Sequence, residues 1–147
     1  MNTDSQITQD MATSMKAGDA QRTGVLRLLR AAFKNEQIKL GHELAQDEVL
    51  KVLQREAKQR RDSIQAYQEA HRPELAAVEN EELVIIAQYL PRPLSADELV
   101  AIVDTVISET SASGPGAMGG VIKEVVARAG ARADGGTVAK VVRERLL

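Results

Sequence analysis

Apolar side chains recur every three to four positions along most of this chain, and no stretch alternates apolar and polar residues as a half-buried strand would. Ile7, Met11 and Met15 put a narrow stripe on a first helix, roughly Asp4 to Lys16. Gly18 ends it and Asp19 caps the next, which spans Ala20 to Leu40 with Val25, Leu28, Leu29, Ala32 and Phe33 facing inward and Gly41 past its end. A third helix, Gln46 to about Ala70, carries Val49, Leu50, Leu53, Ala57, Ile64 and Tyr67. Pro73 suits the first turn of a fourth, which buries Leu75, Val78, Leu83, Ile86 and Leu90.

The pattern breaks at Tyr89-Leu90-Pro91-Arg92-Pro93-Leu94-Ser95. Each proline lacks an N–H and pushes its predecessor out of the α region, so the fourth helix stops near Leu90. Ser95 and Glu98 then form a capping box that starts a new helix. Beyond it the periodicity predicts three short helices, carrying Leu99, Ile102, Val103, Val106 and Ile107, then Met118, Val121, Ile122, Val125 and Val126, then Val138, Val141, Val142 and Leu146. Many of these residues are β-branched, but the period decides over the propensity. The expected fold is all-α, with two helical domains: a four-helix unit over 1–90 and a three-helix unit over 91–147, joined by a short Pro hinge.

Composition narrows the chemistry. Aromatic residues are 2% of the chain and cysteine is absent, which removes disulfides, thiol catalysis and Cys-type zinc sites. No leader and no run of about 18 apolar residues is present, so a soluble, cytoplasmic protein with no membrane partner is expected. The formal net charge of -2 argues against a generally basic nucleic-acid coat protein. The charge is uneven, however. Residues 114–147 carry Lys123, Arg128, Arg132, Lys140, Arg143 and Arg145 against Glu124, Asp134 and Glu144, so this end is locally basic.

Several motifs carry competing readings. Gly114-Pro115-Gly116-Ala117-Met118-Gly119 matches Gly-x-Gly-x-x-Gly by letter, but a helix precedes it, so a loop with close helix packing at Gly119 and Gly120 is expected instead of a dinucleotide site. His42 and His71 have no partner at ligand spacing, and no cofactor or metal is expected. Arg60 falls within the apolar stripe of the third helix; it either pairs with a fourth-helix acid such as Glu79 or Glu82, or faces an anion-binding groove. That groove would hold Arg27, Arg30, Lys58, Arg60 and Arg61; Arg27, Arg30 and Lys34 otherwise form a solvated stripe at i, i+3, i+7. In Gly130-Ala131-Arg132-Ala133-Asp134-Gly135-Gly136, a helix N-terminus offers N–H groups to a phosphate beside Arg128 and Arg132, or to Asp134 as N-cap.

Ala57-Lys58-Gln59-Arg60-Arg61-Asp62-Ser63-Ile64-Gln65-Ala66-Tyr67, Tyr89-Leu90-Pro91 and Arg132-Ala133-Asp134-Gly135 resemble the YqeY-like family over essentially the whole chain. From about Ser95 the sequence also resembles the tail domain of GatB, the B subunit of glutamine-dependent tRNA amidotransferase: Gly119 to Lys123 matches one tail motif, and Gly130, Arg132, Ala133 and Asp134 match a second with Ala131 inserted. The resemblance implies two all-helical domains and a tail that touches tRNA. The family label that comes with it, a carbon–nitrogen ligase with glutamine as amido donor, belongs to a relative with a catalytic domain that has no counterpart here. The expected function is a non-catalytic, tRNA- or RNA-associated accessory protein, not an enzyme on its own and not a DNA binder. Its RNA contacts would be Lys123, Arg128, Arg132, Lys140 and Arg143, gathered around one turn, with Arg132 an exposed loop charge of little weight in folding. The alternatives are an amidotransferase-linked subunit, and an adaptor that docks on an aminoacyl-tRNA synthetase or an amidotransferase.

Overall fold

The computed structural model describes residues 2–147; the expected first domain begins at Met1, which lies outside the described residues. Seven α-helices and no strand occur among the described residues: α1 Thr3–Lys16, α2 Ala20–Leu40, α3 Gln46–Glu69, α4 Pro73–Ala87, α5 Ala96–Thr110, α6 Met118–Ala129 and α7 Gly135–Leu146. Single 3-10 turns at Pro115–Ala117 and Gly130–Arg132 lead into and out of α6. The chain divides between Leu90 and Pro91 into two compact units.

Local chemistry sets most helix ends. Asp19 accepts from the Arg22 N–H at 3.0 Å and starts α2. Gly41, at φ 78°, ends it in a left-handed conformation that a side chain would resist. Ser95 accepts from the Glu98 N–H at 3.1 Å while the Glu98 carboxylate accepts from the Ser95 N–H at 3.2 Å, the reciprocal box at the start of α5. α4 stops at Ala87, three residues earlier than expected. Tyr89 and Leu90 donate back to the Ile86 and Ala87 carbonyls in a tightened turn ahead of Pro91.

In the first unit α1 packs on α2 and α3 on α4. Ile7, Val25, Leu26, Leu29, Phe33, Leu44, Val49, Val52, Leu53, Ala57, Ile85 and Ile86 form the core. Leu28 was expected inside and is 53% exposed; Leu26 takes its place. At 100° per residue Leu28 sits about a third of a turn away from the centre of the Val25, Leu26, Leu29 and Phe33 stripe. Val78 and Met15, also expected inside, are exposed. α4 carries more apolar residues than its buried face holds, and Ala76 and Ile85 fill that face instead. Beside Met15, Ser14 is buried and its hydroxyl meets that of Thr23 at 2.8 Å, a polar contact between α1 and α2.

In the second unit Leu99, Val103, Val106, Val121, Val125, Val138 and Val142 are buried together. Valine in a helix costs at most about 0.7 kcal/mol against alanine, while full burial returns roughly 1.5 kcal/mol or more, so packing wins over propensity. Val126 is 41% exposed, next to the fully buried Val125. Gly119 and Gly120 are exposed, and a Cβ at either would meet open space, so the expected close packing there is absent. Neither residue brings another backbone near.

Candidate anion-binding surfaces

Arg60 is only 11% exposed and sits between two carboxylates. Its Nη1 lies 2.6 Å from Glu56 and its Nε 3.2 Å from Glu82. The expected α4 partner is therefore Glu82. Glu56 was missed, although an acid four residues before an arginine is a helical pair legible in sequence. Lys58 pairs with Asp62 at 3.0 Å, and Arg61 is exposed. The groove along α2 is lined by Asp4, Arg27, Arg30, Ala31, Phe33, Lys34 and Gln37; of the expected five-residue groove it holds Arg27 and Arg30 and no residue of α3.

That α2 groove has a volume of about 460 Å³. α2 carries Arg22, Arg27, Arg30, Lys34 and Lys39 against a single acid, Glu36. Glu36 is engaged by Arg55 at 3.2 Å. Arg22 is drawn into a network at the end of α4: it donates to Gln88 at 2.8 Å and to the Tyr89 hydroxyl at 2.8 Å, and that hydroxyl donates to Asp10 at 2.6 Å. Burial, with Asp10 adding to it, pushes the Tyr89 phenol up to about 12. Arg27, Arg30 and Lys34 are exposed and make no hydrogen bond or ion pair among the described residues.

In the second unit the arginines are largely engaged. Arg128 donates to Glu109 at 2.6 Å and to Glu124 at 3.0 Å. Arg145 forms a two-pronged pair with Asp104, both bonds 2.8 Å. Arg132 is half-buried and holds the segment after Pro91: its Nε donates to the Arg92 carbonyl at 2.9 Å, its Nη2 reaches Glu98 at 3.3 Å, and its own carbonyl accepts from the Leu94 N–H at 2.9 Å. The expectation that Arg132 is an exposed loop charge with little weight in folding is thus corrected. Glu98 also takes Arg92, at 3.2 Å. Arg92 first, then the Ser95 N–H, holds the Glu98 carboxyl down at about 2.

Arg128 and Arg132 are therefore drawn to opposite ends of α5. Glu98 and Glu109 are eleven residues apart, about 16 Å along the helix. The local excess of positive charge over 114–147 is offset by α5, whose Glu98, Asp104 and Glu109 face the arginines; over 91–147 seven Lys/Arg meet seven Asp/Glu. Of the five expected RNA contacts, Lys123, Lys140 and Arg143 remain exposed and without a partner among the described residues. At the start of α7 the Asp134 carboxylate accepts from the Thr137 N–H at 2.9 Å and from its hydroxyl at 2.9 Å. The N-cap reading is the one realised there.

Among the described residues no group of three or more His, Cys, Asp or Glu side chains converges as metal ligands would. His42 lies 2.9 Å from Glu48 at the start of α3, and His71 occupies the α3–α4 turn. Residues 114–119 form a loop, a 3-10 turn and the first residues of α6, without the strand that a dinucleotide fingerprint follows. Among the described residues no helix is long and apolar enough to cross a membrane.

The fold and its surfaces define an all-helical protein whose outstanding chemistry is unneutralised surface cations. The YqeY-like family, described as "Yqey-like protein", matches residues 4–146, and the chain belongs to that family. No curated protein matches the chain. The narrower resemblance of the C-terminal part to the GatB tail finds no support in these comparisons.

Proposed function

We propose that the protein is a non-catalytic, cytoplasmic RNA-associated accessory module, built of two helical domains over 1–90 and 91–147 that are joined at the Pro91–Pro93 stop. The C-terminal domain contacts the phosphates of a folded RNA such as tRNA. One observation supports this reading above the others: among the described residues Lys123 on α6 and Lys140 and Arg143 on α7 stay exposed and unpaired, while every other cation of that unit has a carboxylate partner. Lys140 and Arg143 are three apart and share a helix face. Arg128 and Arg132 then act as positioning residues that hold α6 and the turn before α7 against α5, and only the three free cations reach phosphate.

With two tyrosines, both half-buried, and no tryptophan, recognition runs through backbone shape and phosphate instead of base stacking. The test is tRNA binding by the full chain with Lys123→Gln, Lys140→Gln and Arg143→Gln combined. Each lost phosphate contact removes about 0.9 from the slope of log K against log salt for a duplex. The triple variant is expected to bind more weakly with a flatter slope and an unchanged melting temperature. Unaltered affinity and slope would overturn the reading.

A further inference from the structure

The α2 groove has no part in the function just proposed, yet three cations and one carboxylate line it. Arg27, Arg30 and Lys34 stand at i, i+3 and i+7, on one stripe that also carries Ala31 and Gln37. The stripe spans about 10 Å along the helix axis. None of the three cations has a partner among the described residues, and the one acid on their helix is held by Arg55. The single carboxylate that lines the groove is Asp4, from the first turn of α1, and it forms no ion pair with any of them. Three cations held along one face of a 21-residue helix repel one another, and among the described residues no ion pair relieves that repulsion, Asp4 offsetting it only in part.

We infer that this groove is a second, separate anion site that takes the phosphodiester backbone of an RNA strand. Three charges in a line suit a polymer of regularly spaced anions better than one isolated anion, which a compact cluster would hold. Two of the three are arginines, whose planar fork matches phosphate oxygens two at a time. The groove offers no base platform: Phe33, its only aromatic residue, is 1% exposed and belongs to the core. Binding there is therefore indifferent to sequence and sensitive to salt. Asp4 works against it. Its negative charge at the groove edge lowers the local potential and weakens phosphate binding. The ligand class is that of the proposed function and rests on it; the site does not.

The experiment uses the full chain and a fluorescein-labelled 20-nucleotide polyuridylate, read by anisotropy at 50 and 200 mM salt. For a single strand each phosphate contributes about -0.7 to the slope of log K against log salt, so three contribute about -2 and a roughly 16-fold loss across that range. Arg27→Gln, Arg30→Gln and Lys34→Gln combined keep helix-favouring, exposed side chains. They are expected to weaken binding by about tenfold or more at 50 mM and to flatten the slope by about 2. Asp4→Asn is expected to tighten binding two- to fivefold, a gain that misfolding cannot imitate. Wild-type affinity in the triple variant together with no gain in Asp4→Asn would overturn the inference. Loss of binding confined to the Lys123, Lys140 and Arg143 variant would overturn it while the proposed function stands, and absence of binding by the unmodified chain would overturn both. Displacement of the RNA by polyglutamate at equal charge concentration would reassign the groove to an acidic protein and overturn it as well.

Discussion

Arg60 is the sharpest test of the first unit, because two carboxylates share one guanidinium there. Removing the arginine leaves Glu56 and Glu82, 16% and 24% exposed, facing each other without a counter-charge. Removing either glutamate leaves the arginine still paired with the other. Had there been one partner, Arg60→Met would be nearly neutral and loss of the acid would be costly, because methionine packs where the stem lay while an orphaned arginine does not. With two partners the order reverses. Breaking a buried pair from one side costs about 3–5 kcal/mol, and partial exposure of both acids reduces this, so Arg60→Met is expected to cost about 2–3 kcal/mol. Glu82→Gln keeps an acceptor at 3.2 Å and replaces a charged hydrogen bond with a neutral one, at about 0.5–1.5 kcal/mol. Adding Glu56→Gln and Glu82→Gln to Arg60→Met should recover at least about 1 kcal/mol, since the cost lies in coupling within one network. Urea unfolding followed by far-ultraviolet circular dichroism measures the parent and the three variants. Arg60→Met within about 0.5 kcal/mol of the parent, with Glu82→Gln the more damaging change, would refute the shared-cation account.

Three further outcomes are expected. The depressed Glu98 carboxyl favours the folded state above the ordinary value of 4.5, and that contribution is lost as pH falls through about 2; urea midpoints between pH 5 and 2 should therefore drop more steeply in the parent than in Glu98→Gln, and parallel curves would count against the Arg92–Glu98–Arg132 cluster. Ser111 ends α5 at φ 52°, a conformation that glycine adopts without strain, so Ser111→Gly should raise stability by up to about 1 kcal/mol, whereas a lower unfolding midpoint would contradict it. A fragment starting at Pro91 should melt cooperatively, whereas one starting at Pro93 loses both the carbonyl that Arg132 uses and the Arg92 side chain and should melt lower; equal melts would mean that this clasp contributes nothing.

What was legible in the chain was local. Capping residues, the proline stop and the 3.6 period placed the helices, because each acts within one turn of its own position. The inward faces were harder. Leu28 and Val78 carry as much hydrophobicity as Leu26 and Ile85, and only the position of neighbouring helices decides which of them is covered. The buried Ser14–Thr23 contact leaves no hydropathy signal at all. Charge was read least well, since a count along the sequence cannot see a facing helix. Residues 114–147 are basic as a string, and in the folded unit α5 supplies Glu98, Asp104 and Glu109 to Arg132, Arg145 and Arg128. The same effect separates Arg60, absorbed by two acids, from Arg27 and Arg30, which stand open.

If the protein meets RNA through phosphate, tRNA binding by the unmodified full chain depends steeply on salt. A titration of labelled tRNA at 50, 100 and 200 mM salt should give saturable binding whose log K falls with log salt at a slope of about -2 to -3, the signature of about three neutralised phosphates. No saturable binding at 50 mM salt, or an affinity that does not change across the series, would contradict it.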